Sequence, residues 1–265
     1  MNLSDILKKV ERRELSLHEA EEQLKSIFLD SFQVSSFILN FDIEREGRTN
    51  IPEVIFGKDK TAEQISQIVN HVIEKKGRII VSRVPRDVYA EVKRSLLKNE
   101  REYEIYYIPE ALVMKVISGD SKIFPDGRKD GPVAIFTAGT SDISVAEECR
   151  IFCEEFNIEA YTYYDVGVAA IHRLYKPLKE CEKKGVKAGI VVAGLEGALP
   201  SVIAGLVDFP VIAVPVSAGY GSSLSGFTAL FAMLTSCAPG IAVVNINNGF
   251  GAAAFVRKML DKRDG

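Results

Sequence analysis

Between Phe209 and Val256 the sequence contains no aspartate, glutamate, lysine or arginine. So long an uncharged stretch lies either in a protein core or in a membrane, and a spanning helix needs roughly 20 apolar residues without helix breakers. Here proline and glycine interrupt the stretch repeatedly, at Pro210, Pro215, Gly219, Gly221, Pro239 and Gly240. The pattern therefore predicts short buried strands, one buried helix and uncharged loops, with surface left over for subunit contacts in a homo-oligomer.

The residues after Gly131 alternate between apolar strands and amphipathic helices. Strands are predicted at 132–136, 159–164, 189–193, 211–214 and 241–244. Helices are predicted at 144–156, at about 167–184 with a kink or break at Pro177, near 199–206, at about 223–235, and toward 262. Several strands are apolar on both faces, which favours an α/β fold with a doubly wound, flavodoxin-like parallel sheet. Ligands of such sheets bind beyond the carboxyl ends of the strands.

The chain is predicted to have three parts. Residues 1–41 form a helical region in which Ser16 is a good helix cap. Residues 42–126 form a small α/β domain: a polar segment at 42–60, a helix capped by Thr61 and running through His71, a strand at 77–81, a helix at 86–97 and strand-like residues at 104–116. The catalytic domain is predicted at 127–265, after a loop at 118–131.

Charge and cysteine content narrow the function classes. The 33 basic and 36 acidic residues give a net charge of -3, so no nucleic-acid partner is predicted. The four cysteines form no C-x-x-C pair, and no secretion signal is evident, which favours reduced thiols in a cytoplasmic protein. Three of them are expected to be core residues rather than metal ligands: Cys149, Cys153 and Cys181.

Loops rich in small and hydroxyl residues follow three of the predicted strands, at 137–142, 193–201 and 217–226. Each joins a predicted helix N-terminus, where free N–H groups favour an anion. Taken singly, such a loop is typical of ordinary turns and helix caps. Three of them at one sheet edge favour a nucleotide-like ligand.

An ordered set of motifs from about residue 42 onward resembles the LarB family and, more distantly, the PurE-type aminoimidazole ribonucleotide carboxylases. The motifs are 52–57 (PEVIFG), 137–142 (TAGTSD), 164–168 (YDVGV), 171–174 (IHRL), 193–201 (AGLEGALPS), 214–221 (VPVSAGYG), 235–238 (TSCA) and 244–251 (VNINNGFG). The resemblance implies a pyridinium-3,5-biscarboxylic acid mononucleotide synthase. Such enzymes carboxylate the pyridinium ring of nicotinic acid adenine dinucleotide with carbon dioxide or bicarbonate, and they cleave its phosphoanhydride to release AMP. Their product feeds the synthesis of a nickel-pincer nucleotide cofactor.

The resemblance also implies a PurE-like assembly such as an octamer. The substrate phosphates would suit Mg²⁺, but no residue pattern selects a metal. Three positions depart from the family patterns. Ala198 stands where PurE-type enzymes have a histidine, which disfavours their chemistry. Asn247 replaces an expected acidic residue, and 252–254 (AAA) replaces an expected glycine and aromatic residue, so substrate preference is open.

Carboxylation of an electron-poor pyridinium needs a nucleophile that adds to the ring and later leaves, and a thiolate suits both steps. Cys237 is the candidate that the resemblance also indicates, although a helix C-terminus nearby disfavours a thiolate. The alternative is a buried structural thiol. Candidates for handling the ring proton are Glu196, Asp142 and His172. Their alternative roles are a solvated loop charge, a helix cap and a packed helix residue.

The remaining site residues are predicted to bind the substrate. Those in the loops are Thr140, Ser141, Asp142, Arg173, Gly194, Ser217, Gly219, Tyr220, Gly221, Ser223, Asn245 and Asn248. Those in the polar segment are Arg45, Arg48 and Glu53, where guanidinium groups suit a phosphate or carboxylate but are also typical of a solvated face. Two other functions stay open: a PurE-like carboxylase or mutase of an imidazole ribonucleotide, and a non-catalytic nucleotide-binding protein.

Overall fold

The computed structural model describes residues 3–20, 23, 41–42, 45–98, 103–119, 129–219 and 221–261. Before residue 120 the described helices include α1 (Leu3–Glu11), α2 (Arg45–Thr49), α3 (Ala62–Lys76) and α4 (Arg86–Leu96), and residues 17–20 are also helical. The strands are β1 (Ile55–Phe56), β2 (Arg78–Ser82), β3 (Glu104–Ile108) and β4 (Val113–Ile117). They form one sheet in the order β1-β2-β4-β3, in which only β1 and β2 pair in parallel.

Local sequence signals account for several of these boundaries. Ser16 and Glu19 exchange two hydrogen bonds, which confirms Ser16 as a cap. Thr61 and Gln64 make the same reciprocal pair at the start of α3, and Gly77 ends that helix in the left-handed conformation. The residues at 104–116 form a hairpin of β3 and β4 instead of one strand, because Leu112 adopts a left-handed φ of 52° in the turn between them.

After residue 129 strands and helices alternate. The strands are β5 (Asp130–Thr137), β6 (Ile158–Tyr163), β7 (Ala188–Ala193), β8 (Val211–Pro215) and β9 (Ile241–Val243). The helices are α5 (Ile143–Glu155), α6 (Tyr175–Lys184), α7 (Leu199–Ala204), α8 (Phe227–Leu234) and α9 (Gly249–Leu260). All strand pairs are parallel, in the order β6-β5-β7-β8-β9. The predicted flavodoxin-like α/β fold is confirmed, and its strand order reverses between β5 and β7.

Apolar clusters cover both faces of this sheet, which is why its strands are apolar throughout. One cluster joins the sheet to α5 and α9 and includes Ile51, Ile80 and Val113 from the N-terminal part. The other joins it to α6, α7 and α8. None of the helices within the described ranges is long and apolar enough to cross a membrane.

Two predicted helices start later than expected. A 3₁₀ segment occupies Val168–Leu174, and it is broken at Ala170, where φ is -134° and ψ is 55°. The predicted break at Pro177 is wrong, because Pro177 lies in the first turn of α6, where a missing N–H is tolerated. Another 3₁₀ segment precedes α8, with Leu224 in a left-handed conformation.

Buried ionic contacts join the small sheet to α5. Lys115 Nζ lies 2.9 Å from a Glu155 oxygen, and Arg78 contacts the other oxygen of that carboxylate. Burial lowers the pKa of Lys115, and the nearby Glu155 opposes this effect. Nearer the N-terminus of α5, the buried Glu148 accepts a hydrogen bond from Ser82 Oγ at 2.5 Å.

Candidate active site

A cavity of about 360 Å³ lies at the carboxyl edge of the parallel sheet. Loops after β5, β6, β7 and β8 surround it, with the reversal of strand order between β5 and β7 at its centre. Its lining residues are Ala138, Gly139, Ser141, Asp142, Gly167, Val168, Ala169, Ala193, Gly194, Leu195, Glu196, Ala198, Leu199, Ala218 and Gly219. The loops that the sequence predicted to meet therefore do meet, and they enclose a space of the size that small ligands occupy.

Glycines allow these loops to touch through their backbones. A Cβ atom at Gly194 would lie 2.5 Å from the Ala218 carbonyl oxygen, and one at Gly167 would lie 2.5 Å from the Ala138 carbonyl oxygen. Both distances are far below van der Waals contact, so no side chain fits at either position. The cavity walls depend on this close packing of loop against loop.

Asp142 is the buried carboxyl group of the cavity, with 2% of its surface exposed. Its Oδ2 accepts the Gly139 N–H at 2.8 Å. Its Oδ1 meets no hydrogen-bond partner among the residues that the structure describes. Burial raises the pKa of Asp142, and the nearby N–H groups of Gly139, Gly194 and Ala138 counteract part of that rise. An unsatisfied buried oxygen in a cavity wall is a natural contact for a ligand hydroxyl or N–H group.

Several other predicted residues lie at the rim. Ser141 and Glu196 line the cavity with exposed side chains, and Thr140 is exposed beside them. The exposure of Glu196 agrees with its alternative role as a solvated loop charge and leaves it in reach of a ligand in the cavity. Gly219 also lines the cavity and packs closely against the buried Ser223. A Cβ atom at Gly219 would lie only 2.8 Å from Ser223 Oγ, so the contact leaves no room for a side chain. Gly221 is exposed, and Tyr220 lies outside the described residues.

Asn245 and Asn248 make local hydrogen bonds after β9. The Asn245 side-chain oxygen accepts the Ile246 N–H at 2.8 Å, and that of Asn248 accepts the Gly251 N–H at 2.9 Å as the cap of α9. Neither lines the cavity. Between them, Asn247 makes two hydrogen bonds to Ser217, whose chain neighbour Ala218 does line it.

Arg83 connects the N-terminal sheet to the loop after β9, and no sequence motif indicated this residue. It follows β2 with a left-handed φ of 56° and donates hydrogen bonds to the Asn247 carbonyl oxygen and to Glu148. Glu148 in turn accepts the Gly249 N–H at 3.0 Å. A positive φ is unusual for arginine, but a single sequence does not reveal it, and these contacts join residues far apart in the chain.

Arg173 and His172 lie in the 3₁₀ segment after β6. Arg173 Nη1 contacts Asp165 Oδ2 at 2.5 Å, and both side chains are about half exposed. The Asp165 N–H donates to Thr137 Oγ1, which ties this pair to the end of β5. His172 is exposed, so the packed-residue alternative is wrong, but it does not line the cavity.

Cys237 is exposed and does not line the cavity, whereas Cys149, Cys153 and Cys181 are buried as expected. Cys237 follows α8 and precedes β9. The side chain of its neighbour Ser236 lies 2.7 Å from Ser201 Oγ, two residues after Leu199 of the cavity wall. The alternative of a buried structural thiol is therefore wrong for Cys237.

Arg45, Arg48 and Glu53 are also remote from the cavity. Arg45 pairs with Glu53 at 2.6 Å, and Arg48 pairs with Asp42 at 2.5 Å. The same segment contacts the far end of α9, where Asn50 donates to Asp261 at 2.9 Å. One chain therefore holds its polar segment at the edge of the sheet opposite to the cavity.

Comparisons with known proteins agree with this two-part architecture. Residues 33–115 match the family model described as the LarB/PurE-like N-terminal domain. Residues 132–264 match the AIR carboxylase family model. The chain belongs to the LarB family. An uncharacterized protein of Methanocaldococcus jannaschii is 42% identical over 96% of this chain and 95% of its own length.

More distant similarities to the LarB chain cover about half of it. The N5-carboxyaminoimidazole ribonucleotide mutase of Methanocaldococcus jannaschii is 35% identical over 50% of this chain and 80% of its own length. The enzyme of that name from Thermotoga maritima is 31% identical over 48% of this chain and 74% of its own length. Together with the family models, these similarities make the LarB chain a carboxylase-type enzyme.

Proposed function

We propose that the protein carboxylates the pyridinium ring of nicotinic acid adenine dinucleotide and cleaves its phosphoanhydride, releasing AMP and pyridinium-3,5-biscarboxylic acid mononucleotide for nickel-pincer cofactor synthesis. Carbon dioxide or bicarbonate supplies the new carboxyl group. The observation that carries the proposal is that four of the LarB-like motifs, at 137–142, 164–168, 193–201 and 214–221, contribute residues to one cavity around Asp142. The cavity volume suits the mononucleotide half of this substrate. Mg²⁺ on the phosphates is compatible with the proposal.

The chemistry is balanced without an oxidant. The Cys237 thiolate forms a bond to C4 of the ring, and the ring nitrogen loses its positive charge. The enamine carbon C5 then attacks carbon dioxide and forms the new C–C bond. A base takes the C5 proton, and the candidate for this role is Glu196 of the cavity lining. The sulfur then leaves C4 with its electron pair as the aromatic pyridinium returns. Cleavage of the phosphoanhydride consumes one water.

In this proposal covalent catalysis by Cys237 takes place at a cavity of a neighbouring copy, because the thiol does not line the cavity of its own chain. The outer face of α8, next to Cys237, supports such an assembly. Its exposed side chains are apolar: Phe227, Phe231 and Leu234. Packing of a neighbouring copy near this face would bring a thiol of one copy to the cavity of the other, in keeping with the proposed homo-oligomer.

Mass spectrometry of reactions with nicotinic acid adenine dinucleotide and labelled bicarbonate tests the proposal. The wild type should release AMP and a pyridinium mononucleotide with one labelled carboxyl group. Cys237→Ser should abolish labelling. The matched control is Ser236→Ala, which removes the 2.7 Å contact with Ser201 but keeps the thiol, and it should stay active. No labelled product from the folded wild type would reject the function, and labelling by Cys237→Ser would reject only the covalent step.

The second candidate is an N5-carboxyaminoimidazole ribonucleotide mutase, favoured by the names of the relatives that match the C-terminal half. The structure gives one observation against it. Ala198, which stands where PurE-type enzymes have a histidine, lines the cavity, so the missing imidazole would have faced the ligand. Turnover of the imidazole ribonucleotide but not of the dinucleotide would select this alternative.

A further inference from the structure

Ser217 and Asn247 are joined by two adjacent hydrogen bonds between neighbouring loops. The Ser217 N–H donates to Asn247 Oδ1 at 2.8 Å, and Asn247 Nδ2 donates to Ser217 Oγ at 2.7 Å. A backbone N–H can only donate, so the amide oxygen must face it and the amide nitrogen must face the hydroxyl. The Ser217 oxygen is therefore an acceptor in this pair, and its own proton is available to another partner.

Contacts from the N-terminal sheet hold Asn247 in place. Its carbonyl oxygen accepts a hydrogen bond from Arg83, and its N–H donates to the Pro215 carbonyl at 2.8 Å. The guanidinium group of Arg83 lies 4.9 Å from the centre of the Phe56 ring and 3.3 Å from a Glu148 oxygen. Asn247 itself has a left-handed φ of 57°, a conformation that asparagine tolerates better than most residues.

The Ser217 hydroxyl proton, for which the described residues provide no acceptor, lies beside the cavity. The side chain is exposed, and the next two residues, Ala218 and Gly219, form part of the cavity wall. The chain carries no acidic residue between Phe209 and Val256, so neither loop brings a carboxylate that would repel an anion or compete for the proton. A ligand that extends from the cavity over this rim meets a hydroxyl donor.

We propose that Asn247 is a positioning residue that makes the Ser217 hydroxyl a hydrogen-bond donor to a phosphate group of the substrate. The inference rests on the proposed function, since a nucleotide supplies the phosphate. An aspartate at 247, the residue type expected from the LarB pattern, would accept from the Ser217 N–H equally well. Its second oxygen would also accept a hydrogen bond from the Ser217 hydroxyl, which has a single proton to donate. Asparagine at this position therefore adds an anion donor that aspartate would remove.

A double-mutant cycle with Ser217→Ala and Asn247→Asp tests the inference, with binding measured by calorimetry. The probes are ribose 5-phosphate and nicotinic acid mononucleotide, and the control ligand is nicotinic acid riboside, which has no phosphate. Ser217→Ala should weaken binding of the phosphorylated probes about tenfold or more. The same change in the Asn247→Asp background should have little effect, and riboside affinity should not change with Ser217→Ala.

Repulsion by the added charge of Asn247→Asp cannot produce this coupling, because repulsion would persist without the hydroxyl. Equal losses on Ser217→Ala in both backgrounds would overturn the inference, as would an unchanged affinity in the wild-type background or no binding of either phosphorylated probe. If Asn247→Asp does not fold, the comparison of phosphorylated probe with riboside in Ser217→Ala decides.

The outcomes separate this inference from the proposed function. Coupled binding without carboxylation of nicotinic acid adenine dinucleotide would reject the proposed function and keep the role of Asn247. Carboxylation of the dinucleotide together with equal effects of Ser217→Ala in both backgrounds would keep the proposed function and reject the role of Asn247.

Discussion

Replacement of Gly194 by alanine tests whether backbone contact between loops shapes the cavity. The new Cβ would lie 2.5 Å from the Ala218 carbonyl oxygen and 3.4 Å from Asp142 Oδ1. Ordinary contact starts near 3.4 Å, so the two loops must separate by about 0.9 Å. Overpacking of this kind costs about 1–3 kcal/mol of unfolding free energy. A displacement of that size at a reacting centre lowers turnover by about 100-fold.

The assays are urea unfolding, nucleotide binding by calorimetry and carboxylation by mass spectrometry. Gly205→Ala is the matched control, because Gly205 has an ordinary φ of -76° and a Cβ there would lie 3.6 Å from its nearest neighbour. This control should be neutral or slightly stabilising and fully active. Wild-type stability and affinity in Gly194→Ala would refute the view that the loops touch through their backbones.

Three further predictions concern buried charge and assembly. Asp142→Asn should raise the unfolding free energy at neutral pH and weaken nucleotide binding. Burial raises the pKa of Asp142 in the folded state, so the wild type gains stability as the pH falls through that pKa. Urea unfolding at several pH values should therefore show that the difference in unfolding free energy between Asp142→Asn and the wild type shrinks as the pH falls. Glu155→Ala removes the carboxylate that contacts the buried Lys115 and should lower the unfolding free energy by about 3 kcal/mol in the same assay. The control Glu154→Ala removes the more exposed pair with Arg150 and should lower it by less than about 1 kcal/mol. Phe231→Glu on the exposed face of α8 should yield folded single copies by light scattering and circular dichroism, with carboxylation lost; unchanged mass would reject that face as an interface.

The fold was predictable because its signals are local. Periodicity and capping residues such as Thr61 mark most element boundaries, although the helix predicted through His71 continues to Lys76. Apolar strands indicate a sheet covered on both faces. The meeting of the loops that contain Asp142 and Gly194 also follows from the sequence, since parallel strands end at one edge. The start of α6 did not follow, because the break at Ala170 has no proline or glycine to announce it.

The tertiary contacts of the site were less accessible. The family resemblance grouped Cys237 with Asp142, yet Cys237 does not line the cavity, because the order of motifs along a chain does not give the distance between them in the fold. Arg83 was not predicted from the sequence at all. It has no motif, and its partners Glu148 and Asn247 are distant in sequence, so only the folded chain shows the contact.

Glu148 and Glu155 lie within the part of the chain that matches AIR carboxylases, whereas their partners Ser82, Arg78 and Lys115 lie within the part that matches the LarB N-terminal domain. The N-terminal part therefore supplies the cations and the hydroxyl group that contact the two buried glutamates of α5. Without the N-terminal part, Glu155 would lose both of its cations, and Glu148 would keep only the Gly249 N–H. The same cut would uncover the apolar residues of α5 that pack against Ile51, Ile80 and Val113, so the two parts of the chain are expected to depend on each other for a stable fold.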